Sequence, residues 1–151
     1  MAKEIIVLAL AATPVFEVRG SIPLGIGVYH LSPLSTVIIS IVGSVLPVFP
    51  FLWFLKTVVV HLRKFPVFDR FFEWLFARTR AKSKLIQDLQ LVGLTLFIAV
   101  PLPGTGVWTG IIAAYLFGLR WIPTFIAATI GTTIASLLVL AATLGVIKFI
   151  L

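Results

Sequence analysis

Glu17 and Arg19 stand two residues apart in a polar, helix-breaking segment, Thr13-Pro14-Val15-Phe16-Glu17-Val18-Arg19-Gly20-Ser21-Ile22-Pro23, with apolar sequence on both sides. In hydrocarbon either charge costs at least ~2.5–3.5 kcal/mol, so both must face a cavity or each other. The acid can take and release a proton, and the guanidinium can hold an anion. Residues two apart do not meet on a regular helix, but an unwound turn brings them together. Pro23 is expected in the first turn of the next helix, whose free N–H groups would then point back at the breaker and favour an anion. A second breaker, Pro101-Leu102-Pro103-Gly104-Thr105-Gly106, offers the same arrangement and is followed by Trp108 and Thr109. Its glycines allow close approach, its threonines add hydroxyls, and Trp108 could line or close a cavity. The candidate site is thus Glu17, Arg19, Gly20, Ser21 and Pro23 with Pro101, Pro103, Gly104, Thr105, Gly106, Trp108 and Thr109. The plainer alternative is that Glu17 and Arg19 form a buried salt bridge that only ties helices together.

Other chemistry is poorly represented. The chain has no cysteine and two isolated histidines, His30 and His61. There is no Gly-rich phosphate loop and no Ser/His/Asp set, so neither an enzyme nor a metal or other cofactor is expected. Asp69 and Glu73 lie among basic residues and read as solvated charges.

The elements that must hold the site are membrane elements. Of 151 residues 60% are hydrophobic, and only 17 are charged, 12 basic and 5 acidic. Eleven of those 17 fall between Lys56 and Asp88, leaving uncharged intervals of 36, 31 and 27 residues at 20–55, 89–119 and 121–147. A spanning helix needs about 20 apolar residues, which excludes an ordinary soluble domain. The net charge of +7 then reflects one basic loop and not a nucleic-acid partner. Glu4 near the start, and the Pro and acid that end the first apolar run, argue against a cleaved signal peptide.

Residues 5–16, 24–31, 91–100 and 107–119 are too short to span, whereas 34–60 and 121–151 can. The order is short, breaker, short, long, then 61–90 as a basic loop, then the same again. A shift of 88 residues places Gly43 on Gly131 and the first breaker on the second. We read an all-α, single-domain, inverted-repeat membrane protein: residues 1–60 and 91–151 are the repeats, each a re-entrant helical hairpin plus a long transmembrane helix. Nine basic residues then share the side of the loop and Arg120, so that side is cytoplasmic and the protein multi-pass in the cell membrane. The competing topology makes each hairpin a broken full span and puts Arg120 outside; the matched breakers favour hairpins. Thr36, Ser40 and Ser44, and Ala127, Gly131 and Ala135, read as packing seams.

Within the loop, Phe68, Phe71, Phe72, Leu75 and Phe76 follow the spacing of an amphipathic helix, with Pro66 in its first turn. Arg63, Lys64, Arg70, Arg78, Arg80, Lys82 and Lys84 surround it. This suits a helix on anionic lipid, or a topology anchor and nothing more.

The segments 17–25 and 101–110 resemble the paired motifs of the small multidrug export family, which is itself similar to the DedA superfamily. The resemblance implies paired re-entrant hairpins and, for the wider group, movement of lipids or lipid-linked phosphates, often with proton coupling. Glu17 would match the acidic residue of the first hairpin, and Pro103-Gly104 the Pro-Gly of the second. Gly106 and Val107 stand where DedA-type hairpins usually carry an arginine. The leading expectation is a small proton-coupled transporter or flippase for an anionic amphiphile, such as a lipid or polyprenyl phosphate, acting as a homodimer among membrane lipids without nucleic acid. The alternatives are a proton-coupled exporter of cationic drugs and a non-transport scaffold acting through the basic helix.

Overall fold

Prolines and glycines decide where each apolar run stops being helix. A computed structural model describes residues 2–80, 84–102 and 105–150, without the side chains of 78–80, 84–87 and 150. The described residues form eight helices and no strand: α1 (Ala2–Ala11), α2 (Glu17–Gly27), α3 (Pro33–Val45), α4 (Val48–Leu62), α5 (Pro66–Arg80), α6 (Lys84–Ala99), α7 (Val107–Leu116) and α8 (Trp121–Ile150).

α1 and α2 are neighbours, and Lys3 Nζ near the start of the first donates to Tyr29 O just past the end of the second (3.1 Å). They therefore form an antiparallel pair whose open ends lie together. α1 and α2 both lean on α3, and α2 also on α8. α6 and α7 likewise pack on each other and on α8, and α4 covers α7. α3 and α8 touch in the centre.

Three boundaries differ from the sequence reading. The first long run is two helices, because Pro47 and Pro50 lack the N–H groups that would reach the carbonyls of Gly43 and Leu46, and the helix breaks at Leu46-Pro47. The helix of the first apolar stretch after the loop starts at Lys84, so α6 takes in the last residues counted as loop. Pro23 lies inside α2, which starts at Glu17, and not in its first turn. A helix over 66–80 carries the expected aromatic spacing.

Burial is arranged for lipid. Ser21, Thr36, Ser40, Ser44, Thr124, Thr132 and Ser136 are all buried, while Leu34, Trp53, Ile122 and Phe149 are exposed. Helix association in hydrocarbon relies on close contact between small residues and on hydroxyl hydrogen bonds, since apolar burial offers little there. Both seams expected from the sequence are buried. A Cβ on Gly43 would stand 2.5 Å from Leu8 O, and one on Gly131 would stand 2.7 Å from Thr95 O. α3 and α4 together (Pro33–Leu62), and α8 over Trp121–Phe149, are long and apolar enough to cross a membrane.

Candidate functional site

The two breakers meet. Glu17 adopts φ +43°, a left-handed conformation that costs a residue with a Cβ roughly 1–2 kcal/mol. That turn brings the i, i+2 pair face to face, and Arg19 Nη1 donates to Glu17 Oε2 at 2.7 Å. Glu17 is 5% exposed. Arg19 Nη2 crosses to the other breaker and donates to Val100 O and Thr105 Oγ1, both at 3.1 Å. Thr105 is held in place by its own hydroxyl, which donates to Val100 O and Leu102 O. In return Trp108 N, in the first turn of α7, donates to Glu17 Oε1 at 3.3 Å. The positive end of α7 is thus directed at a carboxylate supplied by α2.

Gly106 makes this approach possible. A Cβ there would overlap the Glu17 carboxylate and lie 2.7 Å from Arg19 Nη1. Its φ of 166° is extended and open to any residue, so the need for glycine is one of space. Gly20 serves the same purpose against the Phe16 ring, 2.6 Å from its would-be Cβ.

Two spaces adjoin Arg19. A cavity of about 160 Å³ lies between the breakers, lined by Pro14, Val15, Glu17, Leu102, Thr105, Trp108 and Thr109 as well as Arg19. An apolar groove of about 500 Å³ runs from Arg19 and Pro101 past Pro23 to Gly27, with Leu138, Ala142 and Val146 of α8 along its other wall. Val18 packs with Ala135 and Val139, near the middle of the 30-residue α8, so the junction lies about halfway along that helix.

Of the expected site, Glu17, Arg19, Thr105, Gly106 and Trp108 are in mutual contact. Thr109 lines the cavity, but its hydroxyl donates to Gly106 O within its own turn (3.3 Å). Pro23 and Pro101 line the groove. Ser21 turns away from the cavity and donates to Ser40 Oγ at 2.8 Å, in the interface of α2 with α3. Pro103 and Gly104 lie outside the described residues. Two participants were not anticipated. The Val100 carbonyl lies just past the end of α6 at Ala99, where it has no helical donor and accepts from Leu102 N–H, the Thr105 hydroxyl and Arg19. Phe51 packs on Trp108 with ring centroids 4.5 Å apart, from the first turn of α4 after the helix break.

On α5, Phe72 is buried while Val67, Phe68, Phe71 and Trp74 are exposed beside Lys64 and Arg70. Arg63 pairs with Asp69 at 2.7 Å and with Glu73 at 3.6 Å. Lys82 lies outside the described residues, as do the side chains of Arg78, Arg80 and Lys84.

A helical membrane protein with an internal ion pair bridging two broken helix pairs is the class these features define. Residues 17–138 match the family model described as "Putative small multi-drug export protein", and the chain belongs to that family. The match begins at Glu17, within the first breaker, and takes in all of the second. Neither the curated proteins nor the solved structures contain a match to the chain.

Proposed function

We propose that the chain is a small proton-coupled exporter or flippase for anionic amphiphiles, built as an inverted repeat of two re-entrant hairpins. The observation that carries this reading is Arg19, a guanidinium of α2 that is bonded to the other breaker and adjoins an apolar groove walled by the second half of α8. The guanidinium suits a phosphate or sulfate head, and the groove suits an alkyl or isoprenyl tail. Glu17 exchanges a proton with each cycle.

The repeat is supported by matched details 88 residues apart. Gly43 fits against α1, the first helix of its half, and Gly131 against α6. Thr36 donates to Ser32 O and Thr124 to Arg120 O, both from fully buried positions. The pair α1–α2 opens where Lys3 meets Tyr29, and α7 ends beside the loop helix, where Tyr115 meets Phe76. Opposite openings are what an inverted pair of hairpins requires. The basic residues support a cytoplasmic side for 61–90 and Arg120. The exposed aromatic and basic face of α5 would rest on anionic lipid. Four membrane elements enclose little volume, which favours a homodimer.

Because the chain has no cysteine, single introduced cysteines report sidedness without background. Cysteines at Arg120 and Lys64 are expected to react with an impermeant thiol reagent from the cytoplasmic side, and cysteines at Lys3 and Lys148 from the other. Labelling of position 120 from outside removes the inverted repeat.

A cation exporter with Glu17 as binding acid is the competing reading. Arg19 at 2.7 Å opposes it, since the same positive charge repels the cargo. Proteoliposomes decide between them. Arg19→Ala is expected to abolish translocation of a short-chain fluorescent phosphatidic acid. If that activity survives while Glu17→Gln abolishes efflux of a quaternary ammonium dye, the cation reading replaces ours.

A further inference from the structure

The anion-binding position between the breakers already holds an anion, and it belongs to the protein. Glu17 Oε2 takes the Arg19 Nη1 donor at 2.7 Å, and Glu17 Oε1 takes the Trp108 N–H at the start of α7 at 3.3 Å. These are the groups an external phosphate or sulfate would use. Glu17 reaches them through a left-handed backbone, and Gly106 is pressed against its carboxylate with no room for a further atom. A second anion cannot take those two donors while the Glu17 carboxylate holds them. Arg19 Nε is also buried and has no acceptor among the described residues, so the guanidinium is under-used by its internal partner.

We infer that the Glu17 carboxylate is a built-in competitor of the substrate anion, seated on Arg19 and the first turn of α7 until protonation or displacement releases both. The inference rests on the anionic-amphiphile reading and deepens it. Proton coupling then follows from exclusion: the anion enters when Glu17 takes a proton and gives up its hold, and Glu17 re-ionises and reseats when the anion leaves. No covalent step is involved.

Arg19 is the charged group facing Glu17. The turn at 12–16, the end of α6 and the start of α7 present Thr13, Thr105, Trp108 and carbonyls, none of which titrates in the accessible range. The other described titratable groups on the packed helices are at far ends: Lys3 and Glu4 on α1, Asp88 on α6, Tyr115 on α7 and Lys148 on α8. A pH dependence of anion binding is therefore assigned to Glu17.

Decyl sulfate is a suitable probe because its charge does not change between pH 4 and 8. Its Kd for the purified full chain is measured by calorimetry across that range, with inorganic sulfate run in parallel to separate a free anion from an amphiphile's head. In the wild type, affinity is expected to rise as pH falls, with a limiting slope of about tenfold per pH unit for one proton taken up per anion. Glu17→Gln keeps an oxygen for Trp108 N–H and removes the charge; it is expected to bind at least about tenfold tighter than wild type at pH 7.5, a gain of ~1.4 kcal/mol, with a flat pH profile. Arg19→Gln is expected to abolish binding of the probe. A Glu17→Gln variant that binds no more tightly, or a wild-type profile that is flat while Arg19→Gln still loses binding, overturns the competitor role and leaves the anion reading standing. If wild type and Glu17→Gln both ignore decyl sulfate, and wild type binds decyltrimethylammonium through Glu17, both readings fall. The wild-type pH profile needs no substitution, so the test does not depend on any variant folding.

Discussion

Arg19→Gln is expected to destabilise the folded chain by about 3 kcal/mol, and the double variant Glu17→Gln/Arg19→Gln to recover most of that loss. The single change strands a carboxylate that is 5% exposed, with one long backbone N–H bond as its remaining hold. Breaking a buried ion pair from one side costs roughly 3–5 kcal/mol, and the lower figure applies because the Arg19 side chain is 22% exposed. It also frees Val100 O and Thr105 from the donor that ties the second breaker to the first. Removing both charges leaves two amides that can bond to each other, which is why the cost is not additive. Detergent unfolding of the four corners of the cycle measures this. A coupling below about 0.5 kcal/mol would mean that the pair is solvated and that each charge stands alone. The double variant is expected to fold and yet to bind no anion, which separates the pair's structural contribution from its functional one.

The junction was legible in the sequence as far as local chemistry could carry it. Two ionisable residues in an uncharged setting, i and i+2, with Pro and Gly around them, require an unwound turn; Glu17 at φ +43° is that turn. The seams were legible too, since Thr36, Ser40 and Ser44 recur at i+4 and bury together. What escaped is of two kinds. Hydropathy averages over proline, so the run through 34–60 looked continuous although Pro47 and Pro50 were in plain view. It is also blind to helix in charged sequence, which hid the first turns of α6 beyond Lys84. Local propensity likewise put Pro23 at a helix start, but α2 is anchored from Glu17 by contacts with α3, α8 and the second breaker, and the missing N–H of Pro23 is tolerated inside it. The second kind is long-range. That Glu17 receives Trp108 N–H, 91 residues away, depends on how the two halves dock, and no periodicity encodes it. Matched breakers argued that the segments correspond. They did not say that the negative group awaited by α7 would come from α2.

Gly106→Ala is expected to cut transport at least tenfold and lower stability by about 1–3 kcal/mol, the usual range for an added methyl in a filled site. The backbone at Gly106 is extended, so alanine adds no torsional strain and the effect is steric. The new methyl overlaps the Glu17 carboxylate and lies 2.7 Å from Arg19 Nη1. The carboxylate is the end of a side chain and can move, but Arg19 holds one oxygen and Trp108 N–H the other, so relief means losing one of them. On the anionic-amphiphile proposal the methyl would also take the position of the incoming anion, so displacing Glu17 would not open the site. Two controls fix the interpretation. Gly93→Ala in α6 and Gly145→Ala in α8 place their Cβ atoms in open space, and each should be neutral or gain up to ~1 kcal/mol from helix propensity. Glu17→Ala removes the obstructing carboxylate, so adding Gly106→Ala to that background should cost little further stability. Detergent unfolding and proteoliposome flux on the same five proteins read out both consequences. If Gly106→Ala behaves like Gly145→Ala, the two breakers are not in contact at the carboxylate, and the ion pair belongs to the first half alone.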